Sequence, residues 1–266
     1  MTPDSTIFFL ALSWVMPSCS WLREEESVEA MVRHAEADHN AGPGFHAAHR
    51  IFDPSLKPNG WKQVEQLRKH VEVTGLIRDI ELVVVSPLRR ALQTAVGVFG
   101  GETEPPFLSL NGVASSSSCF NPPLIALELC RELITPYECN KRSPISTCKI
   151  QFPMVDFTQI KEDQDVLWHP NIRELKDSLE GRRRAFLQWL LCRKEKNIAV
   201  VSHSAFLKNL ISKRDEAGPF VISDKAPRSR QLKATQSLQQ CWGLTTGMKS
   251  YLLLWVGEQS DWEDCI

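Results

Sequence analysis

Two short apolar stretches of the chain each run into a polar residue followed by a histidine. Met31-Val32 leads into Arg33-His34, and Val200-Val201 leads into Ser202-His203. A third apolar run, Ile80 to Val85, ends in Ser86-Pro87-Leu88-Arg89-Arg90. Histidine can serve as nucleophile, acid or base near neutral pH. Arginine presents a planar fork of donors that matches phosphate oxygens two at a time. Two histidines and two arginines at one edge make a site shaped for a phosphate group. Any one of these histidines alone reads as a hydrogen-bonded turn residue; their recurrence at the ends of apolar runs is what favours chemistry.

Elements that bring such residues together can be read from the pattern. Val28 to Val32 is a weak strand interrupted by Glu29, and residues 53–60 read as a turn. Trp61, Val64, Leu67 and Val71 recur at spacings of three and four, one helical face, with Gly75 as the stop. Ile80 to Val85 is a continuous β-branched run, as in a strand buried on both faces. Leu88, Leu92, Ala95 and Phe99 mark a second helical face. Residues 100–123 read as loop, Pro122 to Leu129 as holding a strand, and 135–165 as an irregular insertion. Ile172, Leu175, Leu179, Phe186 and Leu190 lie on one face of a long helix that Gly181 interrupts. Asn197 to Ser202 is a further buried strand, and Phe206, Leu207 and Leu210 begin another helix. Residues 213–249 are polar and irregular, and Tyr251 to Val256 supplies a closing strand. Strands alternating with helices predict an α/β layered domain with a largely parallel sheet. In such sheets ligands bind beyond the carboxyl ends of the strands, where both histidines would sit.

Composition narrows the classes. The 266 residues are 42% hydrophobic and 24% charged, which is globular rather than disordered. Thirty-one Lys and Arg against 32 Asp and Glu leave a net charge of −1, so no global basic excess points to nucleic acid. Eight cysteines, none in a CxxC pair, are too sparse for a disulfide scaffold and give no zinc-finger spacing. His34, His39, His46 and His49 cluster without a zinc-ligand spacing, so no metal is expected. The apolar run Ile7 to Met16 is ten residues, against about 20 for a spanning helix. No Lys or Arg precedes it, so the basic flank of a signal peptide is missing, although Pro17 to Ser20 could form a cleavage zone. The expected location is cytoplasmic, with secretion through residues 7–20 as the alternative.

Four motifs in order resemble a known family. Arg33-His34-Ala35-Glu36, with Asn40 six residues after the histidine, resembles the Arg-His-Gly signature of the histidine phosphatase (phosphoglycerate mutase-like) superfamily. Asp53, Leu56, Gly60 and Gln63 are similar to its next element, with Lys57 where a Thr is usual. Ser86 to Ala95 (SPLRRALQTA) is similar to its Ser-Pro-Leu-x-Arg-Ala-x-Gln-Thr-Ala stretch, and Val201-Ser202-His203-Ser204 resembles its second histidine motif. Leu129 to Glu132, Cys139 to Ser143 and Trp189 to His203 resemble the plant-type phosphoglycerate mutase-like proteins more narrowly.

The resemblance covers about residues 28 to 211 and implies a three-layer α/β/α fold with a mostly parallel central sheet. It divides the chain into an N-terminal extension (1–27), a histidine phosphatase domain (28–211) and a divergent C-terminal segment (212–266). It implies His34 as the nucleophile that forms a phosphohistidine, with Arg33, Arg90 and His203 around the phosphoryl oxygens. Asn40 would add a neutral donor, and Ser204 its backbone N–H at a helix start. Glu132 would serve as acid and base, with Glu128 the alternative. No cofactor is implied. The expected partner is a small phosphorylated substrate or a phosphoprotein, with no nucleic acid and no membrane. Arg89, Lys141 and Arg142 are expected to be solvated or substrate-side, and Arg182, Arg183 and Arg184 to lie on a surface. Phosphate monoester hydrolysis is the expected reaction. The alternatives are mutase-type transfer, or a non-catalytic protein that keeps the fold, which Glu29 in the first strand and the divergent tail would fit.

Overall fold

The computed structural model describes residues 27–40, 50–100, 122–212, 241–246 and 249–254. The N-terminal apolar run, His46 and His49, most of the 100–123 loop and most of the polar tail lie outside the described residues.

Among the described residues, seven strands form one sheet. They are β1 (Ser27–Arg33), β2 (Leu82–Val85), β3 (Leu124–Ala126), β4 (Val155–Asp156), β5 (Ile198–Ser202), β6 (Cys241–Thr246) and β7 (Lys249–Leu254). Their order is β4-β3-β2-β5-β1-β7-β6. All neighbours run parallel except β6, which is antiparallel to β7. Glu29 does not prevent β1 from forming; it falls in register between Ile198 and Tyr251 in the middle of the sheet.

The helices are α1 (Pro58–Val73), α2 (Leu76–Asp79), α3 (Arg89–Phe99), α4 (Ile145–Gln151), α5 (Lys176–Leu191) and α6 (Ser204–Ser212). Successive strand residues point to opposite faces, and the core follows that alternation. Ala30, Val32, Val83, Val85, Ala199 and Val201 pack with residues of α1, α3 and α4. Met31, Leu82, Val84, Ile198 and Val200 pack with residues of α5 and α6. Two cores on the two faces of one mostly parallel sheet make the three-layer α/β/α architecture that the sequence predicts.

Three elements differ from the sequence pattern. The helix expected from Ile172 begins only at Lys176, and Ile172 and Leu175 are exposed. The reason is that the Glu174 N–H donates to Ile134 O at 2.7 Å, which holds the preceding segment against the extended 133–135 stretch instead of in a helical turn. The expected irregular insertion at 135–165 contains α4 and β4. The closing strand lies two residues earlier than expected, at Lys249–Leu254, and carries β6 beyond it, so the segment after residue 211 extends the same sheet. Among the described residues no helix is long and apolar enough to cross a membrane.

Candidate active site

Register brings three strand ends together. Arg33 of β1 pairs with Ser202 of β5, and Val85 of β2 pairs with Val201. The ladder continues one step past the strands: the His34 N–H donates to Ser202 O at 2.9 Å, and the Ser86 N–H donates to Val201 O at 3.0 Å. His34, His203 and Ser86 therefore leave the sheet side by side. The His34 and His203 ring centroids are 5.0 Å apart.

His34 is buried, and its imidazole is held at both nitrogens. Nδ1 lies 2.8 Å from Ala35 O, an acceptor only, so Nδ1 carries the proton and donates. Nε2 is left with its lone pair and accepts from Arg90 Nε at 3.2 Å. Burial, and then the charges of Arg90 and Arg33, hold His34 well below the usual histidine range, so it is neutral. His203, with no exposed surface, is likewise depressed, first by burial and then by Arg90.

Arg90 is aimed by its surroundings. Its Nη1 donates to Cys139 O at 2.7 Å and its Nη2 to Asn140 Oδ1 at 3.1 Å. Burial lowers its pKa, opposed by nearby acidic groups that include Glu132 and Asp53. Helix α3 also holds the loop that carries His34. Thr94 Oγ1 accepts the Ala35 N–H at 3.0 Å and donates to Arg90 O at 2.8 Å. Gln93 accepts from the Leu56 N–H, and Gln63 of α1 accepts from the Glu36 N–H, each at 2.8 Å. Gly60 lets α1 approach that loop: a Cβ there would stand 2.1 Å from Glu36 O. Asp53, at φ 38°, is in a left-handed conformation uncommon for a non-glycine residue. Its carboxylate holds it there by accepting the Arg89 and Ser143 N–H groups, both at 2.8 Å.

Arg33, His34, Arg90, His203 and Ser204 are all buried around this edge, with Ser204 opening α6. Asn40 lies on the exposed turn after His34, where its Oδ1 accepts the Ala37 N–H at 3.1 Å. From the same turn, the His39 ring lies tilted against His34, with centroids 5.7 Å apart and 39° between the planes. Glu132 is half-buried, turns Oε1 to the Leu133 N–H at 2.9 Å, and acts electrostatically on Arg90 and on the Cys139 thiol.

Glu128 is committed elsewhere. It pairs with Arg142 Nε at 2.6 Å and Arg131 Nη1 at 3.0 Å. Arg142 is buried rather than solvated, because its fork also donates to the carbonyls of Glu162, Asp163 and Gln164. Arg183 is buried and Arg182 half-buried, so neither is a surface residue. Arg182 pairs with Glu174 and donates to the carbonyls of Leu129, Arg131 and Glu132, while Arg183 pairs with Glu180. Arg184 is exposed as expected. Arg89 is half-buried, with Nη2 on Ser143 Oγ at 3.1 Å.

Sequence reasoning gave no role to Ser86, Thr94, Gln93, Gln63 or Asp53, although all five stood inside the motifs. Asn140, inside the Cys139 to Ser143 segment, likewise had no role assigned. The signal in the sequence was the set of polar residues Arg90, Gln93 and Thr94 interleaved with the apolar face of α3, and all three are buried. Among the described residues no group of three or more His, Cys, Asp or Glu is arranged to hold a metal ion.

Residues 30–106 match the histidine phosphatase superfamily (branch 1), and the chain belongs to that superfamily. The relatives it matches include a phosphoglycerate mutase-like protein of Arabidopsis thaliana, 43% identical over 196 residues, covering 68% of this chain and 72% of the relative. Phosphoglycerate mutase-like protein 2 of the same plant is 39% identical over 256 residues, covering 75% of each chain. Among solved structures, the ecdysone phosphate phosphatase of Bombix mori is similar at 16% identity and a TM-score of 0.48, covering 76% of this chain and 83% of that one. Membership supports phosphoryl chemistry of the phosphatase or mutase type.

Proposed function

We propose that the protein hydrolyses a phosphate monoester through a phosphohistidine at His34. The observation that carries this reading is the His34 imidazole: neutral, with its proton fixed on Nδ1 by Ala35 O and its Nε2 lone pair turned to Arg90. That is the form of histidine that attacks phosphorus.

Substrate phosphate displaces the Arg90 Nε–H from Nε2, and the same N–H moves to a phosphoryl oxygen. The Nε2–P bond forms as the P–O bond to the alcohol breaks. Glu132, protonated, gives its proton to the departing oxygen. The carboxylate so formed then takes a proton from water, whose oxygen attacks phosphorus. The P–N bond breaks, inorganic phosphate leaves and neutral His34 is restored. Arg33, Arg90, His203 and the Ser204 N–H balance charge on the equatorial oxygens throughout. The commitment of Glu128 to two buried arginines supports Glu132 in the proton-transfer role. The cytoplasm and a small phosphorylated substrate complete the reading.

Mutase-type transfer shares the first half-reaction and differs in who takes the phosphoryl group. The relatives' names favour it as a second reading. The test is to incubate the protein with an aryl phosphate, with and without an excess of a small polyol, and follow the phosphoryl group. Hydrolysis delivers it to inorganic phosphate in both cases, and the His34→Ala variant delivers none. Delivery mainly to the polyol would replace phosphatase by mutase, and equal release by the variant would remove His34 as nucleophile.

A further inference from the structure

His203 has two ring nitrogens with unequal surroundings. Its Nε2 lies 2.7 Å from Ser86 Oγ, and neither residue has exposed surface. Its Nδ1 is buried and makes no hydrogen bond among the described residues. Strand order β2-β5-β1 sets Ser86 on one flank of His203 and His34 on the other. With Nε2 spent on Ser86, Nδ1 is the ring nitrogen left for the site that His203 shares with His34, whose ring centroid is 5.0 Å away.

The proton between Ser86 and His203 can sit in two ways. The Leu88 N–H approaches Ser86 Oγ at 3.4 Å, and an amide N–H only donates. If Nε2 also donated to Oγ, the hydroxyl proton would have no partner, and Nδ1 would turn a bare lone pair toward a site that must receive phosphate oxygens. If the hydroxyl donates, Oγ accepts from Leu88 and gives its one proton to Nε2. Nδ1 then carries a proton with no acceptor among the described residues. A buried donor left over in this way costs free energy until a ligand satisfies it. A doubly protonated ring is opposed by burial and by the facing groups Arg90, His34, His39 and Arg131.

We propose that Ser86 is a positioning residue: its hydroxyl donates to His203 Nε2 and so fixes the tautomer in which Nδ1–H, uncharged, is presented to a phosphoryl oxygen. Arg90 supplies charge, and His203 supplies a neutral, directed donor whose orientation is set one residue beyond β2. This rests on the phosphatase reading for the step it serves, but not for the tautomer itself.

The experiment uses the whole protein with ¹⁵N-labelled histidine, its His203 signals assigned by difference from His203→Gln. In the ligand-free protein the expected result is a protonated, pyrrole-type Nδ1 and a pyridine-type Nε2. Addition of inorganic phosphate shifts Nδ1 more than Nε2. Ser86→Ala loses the single tautomer, binds inorganic phosphate about tenfold more weakly and lowers kcat on an aryl phosphate by a similar factor, the loss of about one hydrogen bond. Ser86→Thr, which keeps the hydroxyl and controls for folding, restores the tautomer and most of the binding. A protonated Nε2 in the ligand-free protein overturns the proposal, as does a Ser86→Ala variant with unchanged tautomer and phosphate affinity. Absence of turnover in the unaltered protein would sink the phosphatase reading and leave the tautomer result standing.

Discussion

Two regions of this molecule bury arginine, and they use it in opposite ways. In the segment between β3 and α5, Arg131 meets the two Asp165 oxygens at 2.9 and 2.7 Å, one Glu128 oxygen and the carbonyl of Asn140. Arg142 and Arg182 are enclosed by carboxylates and carbonyls in the same manner. The cations there are already matched, and a buried pair of that kind holds a loop in one shape without reacting. At the strand ends, Arg90 reaches a carbonyl and an amide oxygen, but its Nε faces a neutral imidazole that substrate can displace. Carboxylates act on Arg90 from nearby without pairing with it. Burial alone therefore does not mark a site. What marks it is a buried cation whose partners are neutral and, at one position, replaceable.

Breaking the replaceable side has the largest effect. Arg90→Ala is expected to lower kcat/KM on an aryl phosphate about a thousandfold, measured by steady-state kinetics, because a preorganised donor set is lost at the transition state. Glu132→Gln is expected to lower kcat about a hundredfold or more with little change in denaturant midpoint. Glu128→Gln should do the reverse: a loss of about 3–5 kcal/mol in unfolding free energy, with activity per folded molecule largely kept. Similar stability losses in both glutamate variants would erase the distinction between the two regions.

A smaller effect sharpens the same contrast through pH. His34 and His203 are depressed from 6.5 by burial, so below about that pH the unfolded chain binds protons that the folded protein does not. Stability is full above that value and falls as pH drops below it. Each histidine contributes up to about 1.4 kcal/mol per pH unit until it protonates in the fold. Denaturant unfolding across this range checks the sign, and the slope should shrink in His203→Gln. The matched arginine region predicts no loss in this window, since Asp165 is held below its ordinary value, chiefly through Arg131 against the opposing effect of burial, and titrates only in stronger acid.

Much of the strand-end site was legible in the sequence because each part sits where a period changes. Ile80 to Val85 reads as a strand and Leu88 to Phe99 as a helix, so Ser86 and Arg90 fall at the junction. Asn197 to Ser202 does the same for His203. The arginine region was not legible. Its residues are paired across long separations, Arg131 with Asp165 and Arg142 with the carbonyls of 162–164, and no local period records such contacts. That is why Arg142 reads as solvated or substrate-side and Arg182 as a surface charge. The start of α5 departs from the pattern for a related reason: Ile172 and Leu175 fit a helical face, but a backbone bond to Ile134 overrides it.

The central claim is that the phosphoryl group passes through His34 Nε2. The most direct measurement is to quench the protein during turnover of an aryl phosphate under alkaline conditions and map the phosphoryl group by mass spectrometry. The account predicts one acid-labile phosphoryl group on His34, absent in His34→Ala. Turnover with no labelled histidine, or a label on His39 or His203 instead, would contradict it.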